Sequence, residues 1–205
     1  IIDHLNSGSS SRTKDIKFIK LKSEQIVQQC ALLGQELFKN ITFTEFSHPK
    51  NWSEDPQKNA PNVFAFTQHF NRLVLLAQET ILQADKTDRA KALNFVFDVA
   101  SKALEIHDFA TFLAFMNAIK SPQIARLKEL NKFFRSSLNS EEEKNFEKFN
   151  ILTDAKGNFK TLIDAMNALS PLPTSTSSTS SPPKPFVPFL GVYQVFLQTI
   201  ISHII

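Results

Sequence analysis

Cysteine occurs once, as Cys30, so no disulfide can form within the chain. That suits a reducing compartment. Its place in an apolar helical pattern reads as a small buried hydrophobe rather than a nucleophile. Glycine is nearly as scarce: Gly8, Gly34, Gly157 and Gly191 are the only four in 205 residues. Such a chain has no Gly-rich loop to cradle phosphate, and neither GxGxxG nor a P-loop occurs. HExxH and GxSxG are missing too. His4, His48, His69, His107 and His203 stand at no metal-ligand spacing from one another or from Cys30. No catalytic residue, metal site or cofactor is therefore expected. Arginine is sparse beside lysine and the net charge is only +3. Lysine lacks the bidentate fork that reads bases and phosphates, so nucleic acid is not an expected partner. Long apolar runs are lacking as well. The run 186–205 is interrupted by Gln194, Gln198, Ser202 and His203, so no stable transmembrane segment is expected.

What is abundant is phenylalanine, 20 residues against one Trp and one Tyr, set within 42% hydrophobic residues. The apolar residues recur at helical spacing. Ser23 offers an N-cap to a first helix whose stripe is Ile26, Cys30, Leu33, Leu37 and Ile41, ending near Asn40. A connection with Pro49 and Pro56 follows. A second helix begins at Pro61 or Asn62 and buries Phe66, Phe70, Leu73, Ala77 and Ile81. The third runs from Asp88 to about Ile106 with Thr87 as cap, burying Leu93, Val96, Phe97, Ala100 and Leu104.

His107-Asp108 then reads as a helix break with Asp108 as N-cap, rather than as a catalytic pair. The fourth helix, Phe109 to Ile119, is apolar nearly all round and must be buried on most sides. Ser121-Pro122 starts a fifth, with Ile124, Leu127, Leu130 and Phe134 on one face. Ser140 with Glu143 forms a capping box for a sixth, whose Glu141-Glu142-Glu143 run answers the helix dipole. Asn158 to Leu169 is a seventh, burying Phe159, Leu162, Ile163, Met166 and Leu169. A last helix starts at Gly191. The class is all-α. Residues 1–22 form a flexible N-terminal segment. The helical domain covers 23–205, with a low-complexity Ser/Thr/Pro insertion at 170–185.

Four stretches, in order, carry a resemblance. IVQQCALLGQELFKNITFTEF (26–46), APNVFAFTQHFNRL (60–73), RAKALNFVFDVASKALEIHDFATFLAFMNAIKSPQIARLKEL (89–130) and KPFVPFLGVYQVFL (184–197) resemble the catalytic domain of Son of sevenless-type Ras guanine nucleotide exchange factors (RasGEF). Gln29, Leu37, Phe38, Ile41, Glu45 and Trp52 fall on the family's first motif. The resemblance implies a multi-helix exchange domain that binds a Ras-superfamily small GTPase around its switches and releases GDP without bond chemistry of its own.

It further implies that Leu113 is the apolar switch II contact, and that Phe109 and Phe159 are aromatics of the GTPase-binding surface. Gln68 replaces an arginine of the family's interface, and Lys120 an asparagine. The alternative is a non-catalytic module of the same fold that holds a GTPase or another protein. In the family a catalytic helical hairpin follows the last motif. This chain begins at Ile1 without Met and stops about one helix after that motif, so a fragment truncated before the hairpin is expected. A cytoplasmic location is expected. The high Lys and Phe and low Gly would suit a Legionella-like translocated effector acting in a host cytosol.

Overall fold

The computed structural model describes residues 21–47, 49–169 and 186–194. The expected flexible segment 1–22 (except its last two residues), the insertion at 170–185 and the chain after 194 lie outside them. The described residues form helices and a single isolated parallel bridge, as an all-α class requires.

α1, Ser23–Lys39, ends at Asn40 as expected, but Ser23 is not its cap. The Ser23 hydroxyl donates instead to Asp98 (2.5 Å) in α6, Arg89–Glu105. Lys102, one turn further along α6, reaches Ser23 (2.6 Å), Glu24 (2.7 Å) and Asp98 (2.9 Å). A polar cluster thus ties the start of α1 to α6, and the serine belongs to it. Ile26 and Cys30 are buried, while Leu33, Leu37 and Ile41 are only half-buried.

The Pro-rich connection is more helical than its composition suggests. It folds into α2 (Phe43–Phe46), α3 (Pro49–Ser53) and α4 (Pro56–Asn59). Each proline opens a helix, where its missing N–H costs nothing.

Pro61 likewise opens α5, Pro61–Leu82, which buries Phe66, Leu73, Ala77 and Ile81 as expected and also His69. Burial, with Arg72 nearby, pushes the His69 imidazole down to about 4, so it stays neutral in the core. The entry to α5 is fixed from α2. The buried Glu45 carboxylate accepts from Asn62 N (2.9 Å), Val63 N (3.2 Å) and Asn62 Nδ2 (2.6 Å). Burial alone would raise this carboxyl, but the hydrogen bonds from Asn62, Val63 and Thr42 outweigh it and hold Glu45 below the usual range. Replacing Glu45 by Ala orphans two helix N–H groups in a buried setting. It should cost about 1–3 kcal/mol in urea unfolding, with little further loss for wild type until the pH falls below the ordinary Glu value, where the carboxylate protonates.

α7, Phe109–Lys120, is the centre of the fold. Ten of its twelve residues are buried, and it packs on α6 and α5 with a smaller contact to α1. The expected fifth helix is broken in two, α8 (Pro122–Ala125) and α9 (Lys128–Ser137). The Asn131 amide donates back to the carbonyls of Ile124 (3.0 Å) and Leu127 (3.1 Å), each of which also accepts a backbone N–H, and so bridges the break.

α10, Ser140–Leu152, starts one residue earlier than its capping signal suggested. Asn139, not Ser140, is the cap. Asn139 Oδ1 accepts from Glu142 N (3.0 Å) while Glu142 accepts from Asn139 N (2.8 Å). α9 and α10 are seated on α6 through aromatic contacts. The Phe97 ring lies 5.7 Å from Phe134, 5.6 Å from Phe146 and 5.6 Å from Phe149. α11, Lys160–Leu169, begins two residues late. Gly157, Asn158 and Phe159 are all left-handed, with φ of 66°, 55° and 58°, and no right-handed helix can include them.

Candidate functional site

The site builds outward from the start of α7. Asp108 caps that helix, its Oδ1 accepting from Thr111 N (2.9 Å), as the sequence suggests. His107 before it has φ 63°, the left-handed turn that separates α6 from α7. The break also pairs with the last described segment. Phe109 N donates to Val187 O (2.9 Å) and Val187 N donates to His107 O (3.0 Å), a parallel bridge centred on Asp108. Residues 190–194 continue as helix.

Segment 186–194 therefore gathers several elements at once. Phe186 meets Phe109 edge to face (6.2 Å). Phe189 lies between Phe70 of α5 (5.2 Å) and Phe159 (5.8 Å). Two glycines permit this seating. A Cβ on Gly34 of α1 would come within 3.1 Å of Val187, and one on Gly191 within 2.6 Å of the Phe189 ring. Residues 186–194 thus have a packing role: Phe186 and Phe189 bring α5, α7 and the turn before α11 together.

The RasGEF domain family matches residues 25–203 of this chain. The chain belongs to the RasGEF domain family. Among relatives of this RasGEF domain, the mouse "Ras-specific guanine nucleotide-releasing factor RalGPS1" is 28% identical over 158 residues, covering 76% of this chain and 26% of the relative. The fruit fly "Guanine nucleotide-releasing factor 2" (Drosophila melanogaster) is 28% identical over 155 residues, covering 75% of this chain and 9% of the relative. The human "Rap guanine nucleotide exchange factor 1" is 30% identical over 107 residues, or 51% of this chain and 10% of the relative. The RasGEF chain thus aligns with about a quarter or less of the length of each.

The five residues singled out from the sequence occupy two kinds of position. Gln68 on α5 and Phe159 are half-buried, and Lys120 in the last turn of α7 is exposed. Lys120 Nζ donates to Thr153 Oγ1 (2.7 Å), which in turn donates to Phe149 O (2.8 Å). Burial of the ammonium lowers its pKa, and Asp154 opposes the drop. Lys120 and Phe159 are thereby both tied to the connection that leads from α10 to α11. Phe159 is joined to α5, the helix of Gln68, through Phe189 and Phe70.

Leu113 and Phe109 are different. Leu113 is 0% exposed and Phe109 2%, so both are inside the core. The two residues expected at the GTPase-binding surface are thus buried in this conformation.

Three features of the site have no local sequence signal. The first is the clasp between 107–109 and 187. The second is the left-handed conformation of Phe159 (φ 58°), which Gly157 and Asn158 before it adopt readily but a Phe does not. The third is Asp108 Oδ2, buried without a hydrogen-bond partner. Among the described residues no group of His, Cys, Asp and Glu is arranged to hold a metal ion, and no helix is long and apolar enough to cross a membrane.

Proposed function

We propose that this chain is a guanine nucleotide exchange factor domain that promotes GDP release from a Ras-superfamily small GTPase. What supports the reading is the RasGEF match running through 25–203, on a helical body whose last motif clasps α7. Gln68, Lys120 and Phe159 form the contact surface, and Phe109 and Leu113 support it from beneath. The domain makes and breaks no covalent bond. It binds the nucleotide-free GTPase more tightly than the nucleotide-bound one, and that difference in affinity weakens GDP binding by the same factor. A neutral Gln68 and a cationic Lys120, where the family interface has arginine and asparagine, set the choice of GTPase. The domain works in the cytosol, in signal transduction. For the translocated-effector origin the composition remains the sole support.

The test is release of a fluorescent GDP analogue across a panel of Ras, Rap, Ral and Ran-type GTPases. Acceleration on at least one member is expected. Lys120→Glu should reduce it roughly ten-fold, read beside the melting temperature because the substitution also removes the hydrogen bond to Thr153. Excess GDP should dissociate the complex, because coupling is reciprocal. A second reading is a module of the same fold that holds a GTPase or another protein without exchange. The burial of Phe109 and Leu113, which keeps both side chains from direct contact with a partner in this conformation, favours it. Complex formation that neither speeds release nor responds to GDP would establish this second reading and remove the first.

A further inference from the structure

A second concave surface lies away from these residues. It is an open groove of about 860 Å³ between the turn joining α5 to α6 and the pair α8–α9. None of Gln68, Phe109, Leu113, Lys120 or Phe159 lines it. Its base is apolar. Leu127, Leu130 and Phe133 recur every third residue and form one stripe. Phe134, the next residue, turns inward and is buried against Phe97 and Phe146. The apolar surface of α9 thus reaches from the core out to Phe133, which is 59% exposed.

The rim is basic. Lys86, Arg126, Lys128 and Lys132 are exposed, and among the described residues none has an ion-pair partner. Arg89 is engaged in serving the carbonyls of Leu82 and Ala84 (both 3.2 Å). Glu129 is the only acidic residue in the lining. Other cations of the helical surface, Lys91, Arg135 and Lys160, are neutralised by Asp88, Glu147 and Asp164.

We propose that this groove docks a short acidic peptide segment of a partner protein, with one large apolar side chain set against Leu127, Leu130 and Phe133. Charge complementarity names the occupant. Four unpaired cations around an apolar base suit carboxylates flanking an apolar anchor. The concavity favours a peptide over a lipid surface. Phe133 stands exposed, whereas Leu127 and Leu130 are half-buried, and a single side chain reaches them where a flat bilayer meets only the rim. The volume lies in the range of sites that enclose a compact ligand.

The probe is a fluorescein-labelled nonapeptide of eight aspartates and glutamates around a central phenylalanine, followed by anisotropy on the 205-residue chain. Saturable binding in the range of about 10–100 µM is expected, weakening several-fold from about 50 to about 300 mM salt. Alanine in place of the peptide's phenylalanine should weaken it roughly five-fold. The pair Lys128→Glu and Lys132→Glu, both exposed, should weaken it roughly ten-fold or more with an unchanged melting temperature. No saturation by about 1 mM, or binding indifferent to the double substitution, overturns the proposal. So does capture by phosphatidylserine-containing vesicles, through Lys128 and Lys132, of a chain that ignores the peptide.

Discussion

Replacing Leu113 by alanine should lower the free energy of unfolding by about 2–5 kcal/mol, and replacing it by glutamate should leave little folded protein at ambient temperature. The side chain has no exposed surface and sits mid-way along α7, between α5 and α6. Its neighbours along the helix, Phe112, Ala114, Phe115 and Met116, are equally enclosed. Truncation there removes buried methyl groups and leaves a cavity that three packed helices cannot close. A glutamate would have to be buried ionised or protonated with no water to serve it, and either state costs several kcal/mol against a total stability of about 5–15. Leu113→Met, which nearly conserves volume, should cost less than about 1.5 kcal/mol. Urea unfolding of the three variants is the measurement. If Leu113→Glu folds with an unchanged midpoint, the residue faces solvent and the groove above α7 is open. The prediction also governs how function is tested: loss of exchange in Leu113→Glu reports unfolding, so the contact surface is better probed at Gln68, Lys120 and Phe159.

The helices that carry the site were legible because each combines apolar periodicity with a local start signal. Pro61 opens α5 and Asp108 caps α7, and both signals act through groups within a few residues of themselves. Where the structure departs from the sequence reading, a choice was made by groups that periodicity does not weigh. Ile124, Leu127, Leu130 and Phe134 fit one helix, yet Asn131 turns its amide back and stabilises a break. Asn139 and Ser140 are both competent caps with a glutamate three residues on, and only the geometry selects Asn139. Ser23 was free to cap α1 until Asp98 and Lys102 offered it a partner from a distant helix. The clasp of Val187 on His107 and Phe109 belongs to the same class. Backbone groups carry no sequence label, so two segments far apart in the chain pair without either announcing it. The two halves of the clasp both lie in stretches whose resemblance to the RasGEF family was visible in the sequence. Periodicity placed Leu113 on a helix apolar all round, which is why its burial follows from the pattern even though its assigned role came from resemblance.

Asp108 should make the protein less stable as the pH rises from about 4 to about 7. The residue is 1% exposed. Its Oδ1 accepts from Thr111 N (2.9 Å), but Oδ2 has no partner. Burial raises its pKa to about 6, well above the ordinary aspartate value, and the bonds from Thr111 and Ala110 only partly offset this. Cys30, whose thiol burial and the neighbouring Asp108 push up to about 12, is no source of compensating charge. Below the unfolded pKa both states hold the proton and Asp108 has no effect on the balance. Between the two values the unfolded chain ionises while the folded one does not, so each step up in pH favours unfolding. Above about 6 the full penalty stands, on the order of 3 kcal/mol. Asparagine keeps the capping oxygen and cannot ionise. The unfolding free energy of Asp108→Asn minus that of wild type should therefore grow by that amount from pH 4 to pH 7. Taking the difference cancels the other carboxylates, including Glu45, whose lowered pKa acts in the opposite sense. A difference that stays level across this range would mean that Asp108 ionises freely at the start of α7, and that the clasp with Val187 leaves its outer oxygen open to water.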